Sequence, residues 1–120
     1  MSWEIFIQDL PEVSRIADVP ADFRPAPLGT RDTLIATIRD AVPGAEPQDK
    51  DWLFVRTPGI DLSIQFHMED AKQVRYIVVH VHGGDMSAHC VAGIMRALDR
   101  RAIDTSTGEL FDADGLEEGL

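Results

Sequence analysis

The sequence predicts an α+β fold: a two-layer sandwich of a mostly antiparallel sheet, about 4–6 strands wide, with two main helices. Three observations carry this reading. Residues 60–69 alternate apolar and polar side chains with period two, residues 30–42 and 87–99 repeat apolar side chains at helical spacing, and Pro- or Gly-bearing breaks separate the segments. The element order is strand, helix, three strands, helix, strand, a ferredoxin-like order with one extra strand in the middle.

Each element has its own justification. Residues 2–8 read as a strand, with Trp3, Ile5 and Ile7 on one face and Glu4, Phe6 and Gln8 on the other. Asp9-Leu10-Pro11-Glu12 looks like a short helix start, since Pro suits a first helical position and acids suit the positive end of the dipole. Pro20, Pro25 and Pro27 make residues 19–28 an extended connector that Phe23 pins to the core. Thr30 caps the first main helix, whose apolar stripe is Leu34, Ile35, Ile38 and Val42, and Pro43-Gly44 ends it. Residues 44–51 read as a polar loop and Trp52–Thr57 as a strand, followed by a turn at Pro58-Gly59.

Ile60, Leu62, Ile64, Phe66 and Met68 then form the apolar face of a half-buried strand. A turn at Glu69–Lys72 leads to Gln73–His82, apolar on both faces as a central strand should be. Stacking apolar on apolar sets Ile64 opposite Ile77 and Leu62 opposite Val79. The other face then pairs Gln65 with Tyr76, Ser63 with Val78 and Asp61 with His80. Gly83-Gly84 breaks the strand, Asp85 or Ser87 caps a second helix running to about Asp99, and Val91, Ile94, Met95 and Leu98 form its stripe. Arg100–Asp104 and Glu109–Phe111 are short strands around a Thr105–Gly108 turn. The reading is a single domain over residues 1–112, with residues 113–120 as an acidic, fraying tail.

Composition narrows the function classes. The chain of 120 residues carries 11 basic and 21 acidic side chains, a formal charge of −10, with no basic residue after Arg101. Phosphate-backbone binding rests on clustered Lys and Arg, so nucleic acid is not an expected partner, whereas a basic protein surface is. A single cysteine, Cys90, forbids an internal disulfide. No apolar run reaches the roughly 20 residues of a membrane span, and no secretory leader is apparent, so a cytoplasmic location is expected.

Several segments invite chemistry. His80 and His82 share a strand face, and with Asp61 across from His80 they form a possible three-ligand metal site. Gly83-Gly84 before a helix resembles an anion loop, but Asp85 stands where the anion would sit, and tight-turn geometry explains both glycines. Cys90 beside His89 invites a nucleophile reading, yet adjacent helical residues diverge by about 100°, so a buried structural thiol is the better account. Asp104–Glu109 has the hydroxyls and carboxylates of a cation loop and equally of a self-bonded turn.

Three stretches together resemble a group of small bacterial proteins of unknown function. They are Ser2-Trp3-Glu4-Ile5-Phe6, His80-Val81-His82-Gly83-Gly84 and Arg101-Ala102-Ile103-Asp104-Thr105-Ser106-Thr107-Gly108-Glu109. The resemblance covers most of the chain and implies no catalytic residue and no cofactor. The function expected from the residues is a non-enzymatic protein-interaction module, of accessory or immunity type. It would use the sheet face of Ser63, Gln65, His67, Tyr76, Val78 and His80, since Tyr-bearing mixed surfaces are typical of interfaces. A homodimer through that face is a further expectation. The alternative is a small metal- or ligand-dependent enzyme centred on His80, His82 and Asp61.

Overall fold

The computed structural model describes residues 3–49, 51–67 and 72–120. Among them the chain forms one antiparallel sheet of seven strands and three α-helices. The strands are β1 (Trp3–Gln8), β2 (Ala45–Asp49), β3 (Trp52–Thr57), β4 (Ile60–His67), β5 (Tyr76–Gly83), β6 (Arg101–Asp104) and β7 (Leu110–Phe111), and the helices are α1 (Arg31–Ala41), α2 (Ser87–Leu98) and α3 (Ala113–Glu118). The α+β class stands, but the sheet is wider than the expected 4–6 strands, and its order is β2-β3-β4-β5-β1-β6-β7. From β1 the chain passes through α1 to the far edge and returns as a four-strand meander. It then crosses through α2 to the other side of β1.

All three helices bury their apolar residues in one core on one face of the sheet. Leu34 and Ile38 of α1, Cys90, Val91, Ala92, Ile94 and Met95 of α2, and Ala113 of α3 meet Ile5, Ile7, Leu53, Val55, Leu62, Ile64, Phe66, Ile77, Val79 and Ala102. These strand residues alternate along their strands, so the residues between them point to the other face. At roughly 1.5–3 kcal/mol for each large buried side chain, this one-sided core dominates the stability of the chain.

Local chemistry explains most boundaries. Thr30 accepts a hydrogen bond from the Thr33 N–H and caps α1, as expected. The α2 start differs: Met86 is the N-cap, without a side-chain cap bond. Ser87 is instead buried, its hydroxyl donating to the Gly83 carbonyl and accepting from the Asp61 N–H. Gly83-Gly84 form the tight turn expected of them, and the adjoining backbone is engaged internally, since the Met86 N–H donates to the Gly59 carbonyl, which packs against Gly84.

Four expectations are corrected. Residues 9–19 hold only a short 3-10 turn at Ile16–Asp18, because the segment has too few apolar positions to bury a helical stripe. Residues 45–49 form edge strand β2 rather than a loop, held by antiparallel pairing with β3. Residues 113–118, expected to fray, form α3: Asp112 caps it by accepting from the Gly115 N–H, and Arg96 on α2 binds Asp114 and Glu117. The β4–β5 register is shifted by two residues, with Ile64 opposite Val79 and Ser63 opposite His80. The expected turn at residues 69–72 and the end of β4 at Met68 fall largely outside the described residues.

Candidate functional site: the helix-free sheet face

The register places one row of side chains from each strand on the face opposite the helices. β1 contributes Glu4, Phe6 and Gln8; β5 contributes Tyr76, Val78, His80 and His82; β4 contributes Asp61, Ser63, Gln65 and His67; β3 contributes Trp52, Phe54 and Arg56. Residues 9–28 do not lie across these rows by any backbone pairing. Arg15 bridges Glu109 and the Leu110 N–H donates to the Ser14 carbonyl, so the connector extends the sheet beyond β7. It then returns past the start of β5, where Gly29 bridges Val74.

Aromatic rings organise the face. His67 stacks on Tyr76 with centroids 4.6 Å apart and planes 6° from parallel, and Phe6 stacks on the other side of Tyr76 at 5.3 Å. A second row runs from His80 to Trp52 at 5.7 Å and on to Phe54 at 5.9 Å, with the Arg56 guanidinium 4.7 Å above the Phe54 ring. Such contacts add about 0.5–1.5 kcal/mol per aromatic pair beyond area burial, so the rings are held in place before any partner arrives. His80 reaches Trp52 across β4 because Ser63, the residue between them, is small.

The six residues expected to form the surface therefore divide. Gln65, His67, Tyr76 and His80 are half-buried members of the face. Ser63 and Val78 are only 3% and 4% exposed and lie beneath their neighbours. Ser63 acts as a support, its hydroxyl hydrogen-bonded to His82 Nε2 at 3.1 Å. Sequence reasoning missed Trp52, Phe54 and Arg56 because β3 had not been registered against β4. The alternation of Trp52, Phe54 and Arg56 with Leu53 and Val55 was the available signal.

Electrostatics on the face are mixed. His80 Nδ1 lies 3.8 Å from Glu4 Oε1, while Nε2 of both His67 and His80 is covered without a hydrogen-bond partner among the described residues. Beside Trp52 and Phe54, a shallow depression of about 540 Å3 opens toward Gln48, Asp49 and His82. The expected metal triad does not come together: the β4–β5 register differs by two residues from the expected one and slips by one more between Asp61 and Leu62, so Asp61 lies opposite Gly83, not His80. No three His, Cys, Asp or Glu side chains among the described residues are grouped as metal ligands.

The other candidate segments resolve into structure. The Asp104 carboxylate accepts from Ser106 N and Oγ and from the Trp3 indole N–H, making a self-bonded turn. Burial works to raise its pKa, but these bonds outweigh that and hold the carboxyl below the usual range. Cys90 is in the core, and burial pushes its thiol up to about 11. His89 points away from it to Glu117, at 3.1 Å. Among the described residues no helix is long and apolar enough to cross a membrane. Comparison with protein-family models, curated proteins and solved structures returns no match.

Proposed function

We propose that this chain is a non-enzymatic protein-interaction module, of accessory or immunity type, that docks a basic partner protein on its helix-free sheet face. The observation that carries the reading is the pair of aromatic rows, Phe6–Tyr76–His67 and His80–Trp52–Phe54, laid across four adjacent strands. Aromatic residues and Arg are enriched at interface centres because they bring large area at low entropy cost. Strands of 6–8 residues across four positions, at about 3.4 Å per residue and 4.8 Å per strand, give a footprint on the order of 450 Å2 for the four strands that carry the rows. That is about half of the roughly 800 Å2 that one partner contributes to a standard interface, as befits its central part.

Charge selects the partner. The excess of ten negative charges opposes a second copy of the same chain and favours a basic surface, with association weakened by salt. Edge pairing is the less favoured mode. Edge strand β2 carries Glu46, Pro47 and Asp49 and a register irregularity, and the β7 side is extended by residues 14–16.

A photo-crosslinking amino acid introduced at Tyr76, compared with one at Ala36 on the exposed side of α1, tests the proposal in the cell that makes the protein. The expected result is a discrete adduct with a basic protein from position 76 alone, diminishing as salt is raised. Equal adducts from both positions, or none from position 76, overturn it. An adduct between two copies of this chain replaces the hetero-partner with a homodimer.

A further inference from the structure

Three of the four histidines in the chain stand on the helix-free face: His67 on β4, and His80 and His82 on β5. The fourth, His89, is on α2. Histidine is the side chain that gains its charge between about pH 8 and 5, so proton uptake in that range concentrates on this face.

The fixed charges there are unbalanced. The rows of β1–β5 carry Glu4, Glu46, Asp49 and Asp61, against Arg56 as the single base among the described residues. This local surplus of acid, rather than the charge of the whole chain, is what a basic surface meets on docking. Three imidazolium charges equal it. Full protonation therefore removes the attraction at the contact itself.

Geometry adds to the charge. His67 lies flat on Tyr76, and His80 stacks on Trp52. The Nε2 atoms of both are covered and have no hydrogen-bond partner among the described residues. His80 turns Nδ1 toward Glu4 of β1 at 3.8 Å, which assigns the hydrogen of the neutral ring to Nδ1 and leaves Nε2 to receive the second proton. A proton there finds no acceptor unless the ring swings out of its stack. His82 Nε2 meets the Ser63 hydroxyl of β4 at 3.1 Å, with Asp49 and Arg56 lining the same depression and Asp61 opposite the adjoining Gly83. An imidazolium can only donate, so the Ser63 hydroxyl would have to turn its hydrogen away. His67 and His82 form no ion pair with a described residue that would hold the charged ring in place.

We infer that docking on this face is gated by protons: the chain holds its basic partner at neutral pH and releases it as His67, His80 and His82 become charged. This rests on the docking reading and adds the condition under which docking fails. Loss of the acid surplus and opening of the two ring stacks act in the same direction. By linkage, a docked partner opposes proton uptake by the same three rings.

The test places a photo-crosslinking amino acid at Gln65, between the two ring rows, and compares adduct yield at about pH 7.5 and 5.5 in extract of the cell that makes the protein. The expected result is a severalfold lower yield at the lower pH, in the wild-type chain and equally in His89→Gln. A chain with His67→Gln, His80→Gln and His82→Gln, polar but unable to charge, should keep its yield at both. Urea unfolding checks that this chain is folded. If it is not, His82→Gln alone, at an exposed position, should lose less of its yield than the wild type. Equal wild-type yields at both pH values overturn the gate and leave the docking face standing. A fall that the glutamine chains retain in full also overturns it, because the sensitivity then belongs to the partner. No adduct at pH 7.5 refutes the docking reading, and the gate with it.

Discussion

Replacing Gly84 with Ala probes the contact that joins the β3–β4 turn to the start of α2. Gly84 has φ +89°, and a Cβ there would sit 2.5 Å from the Gly59 carbonyl oxygen and 2.8 Å from its carbon. The backbone conformation alone costs an L-residue about 1–2 kcal/mol. Relieving the clash means moving the turn, because the obstructing atoms are backbone. That displacement breaks the bond from the Met86 N–H to the Gly59 carbonyl, 2.8 Å, and strains the bond from the Asp61 N–H to Ser87 Oγ, 3.1 Å. At about 1 kcal/mol for each hydrogen bond, the sum is about 3–4 kcal/mol. A chain of this length has a total stability on the order of 6–18 kcal/mol, so the loss is a large share. Urea unfolding should show it as a lower midpoint with unchanged slope. Gly83→Ala is the internal control, since a Cβ there meets nothing within 4 Å, and its effect should stay within about 0.5 kcal/mol. A Gly84→Ala loss below about 1 kcal/mol, or equal losses at both positions, would refute this account of the junction.

Three further outcomes are expected. Asp104, held below the usual carboxylate range, stabilises the fold above the ordinary Asp value of 3.8, and that contribution disappears as pH falls through its lower folded value. The stability gap between the wild-type chain and Asp104→Asn should accordingly narrow on acidification, and a constant gap contradicts the turn's dependence on the carboxylate. Cys90, with its thiol raised from 9.0 to about 11, should react with a thiol reagent at pH 8 far more slowly in the native than in the unfolded chain. The same shift predicts that stability falls as pH rises from about 9 to 11; equal thiol reactivity in both states would place Cys90 outside the core. Replacing Glu46 and Pro47 with Val should expose β2 as a pairing edge and increase self-association in sedimentation, relative to the wild-type chain, and unchanged sedimentation argues against an edge blocked by these residues.

How much of this was legible in the sequence depended on which constraints are local. The β4 alternation and the Thr30 cap are local signals, and both are realised. The β4–β5 register was missed by two residues because a two-residue slip leaves every side chain on its own face, so the pattern cannot distinguish the alternatives. Strand β2, with sequence Ala-Glu-Pro-Gln-Asp, has little strand propensity, and its pairing with β3 supplies what the residues do not. Helix α3 was hidden by Gly115 and by acids that look solvating until Arg96 is brought beside them from α2.

The candidate face shows the same division. Period two assigned Gln65, His67, Tyr76 and His80 to one surface. Burial of Ser63 beneath the span from His80 to Trp52, and of Val78 near Phe6 and Tyr76, depends on rings from strands distant in sequence.

Hydroxyl-radical footprinting, comparing the purified chain with the chain in extract of the cell that makes it, tests the docking face most directly. Trp52 and Tyr76 should lose reactivity in extract and regain it at high salt, while Met86, 48% exposed near the start of α2, stays unchanged. Unaltered Trp52 and Tyr76 reactivity, or protection confined to Met86 and the helical side, would contradict the helix-free sheet face as the surface this protein uses.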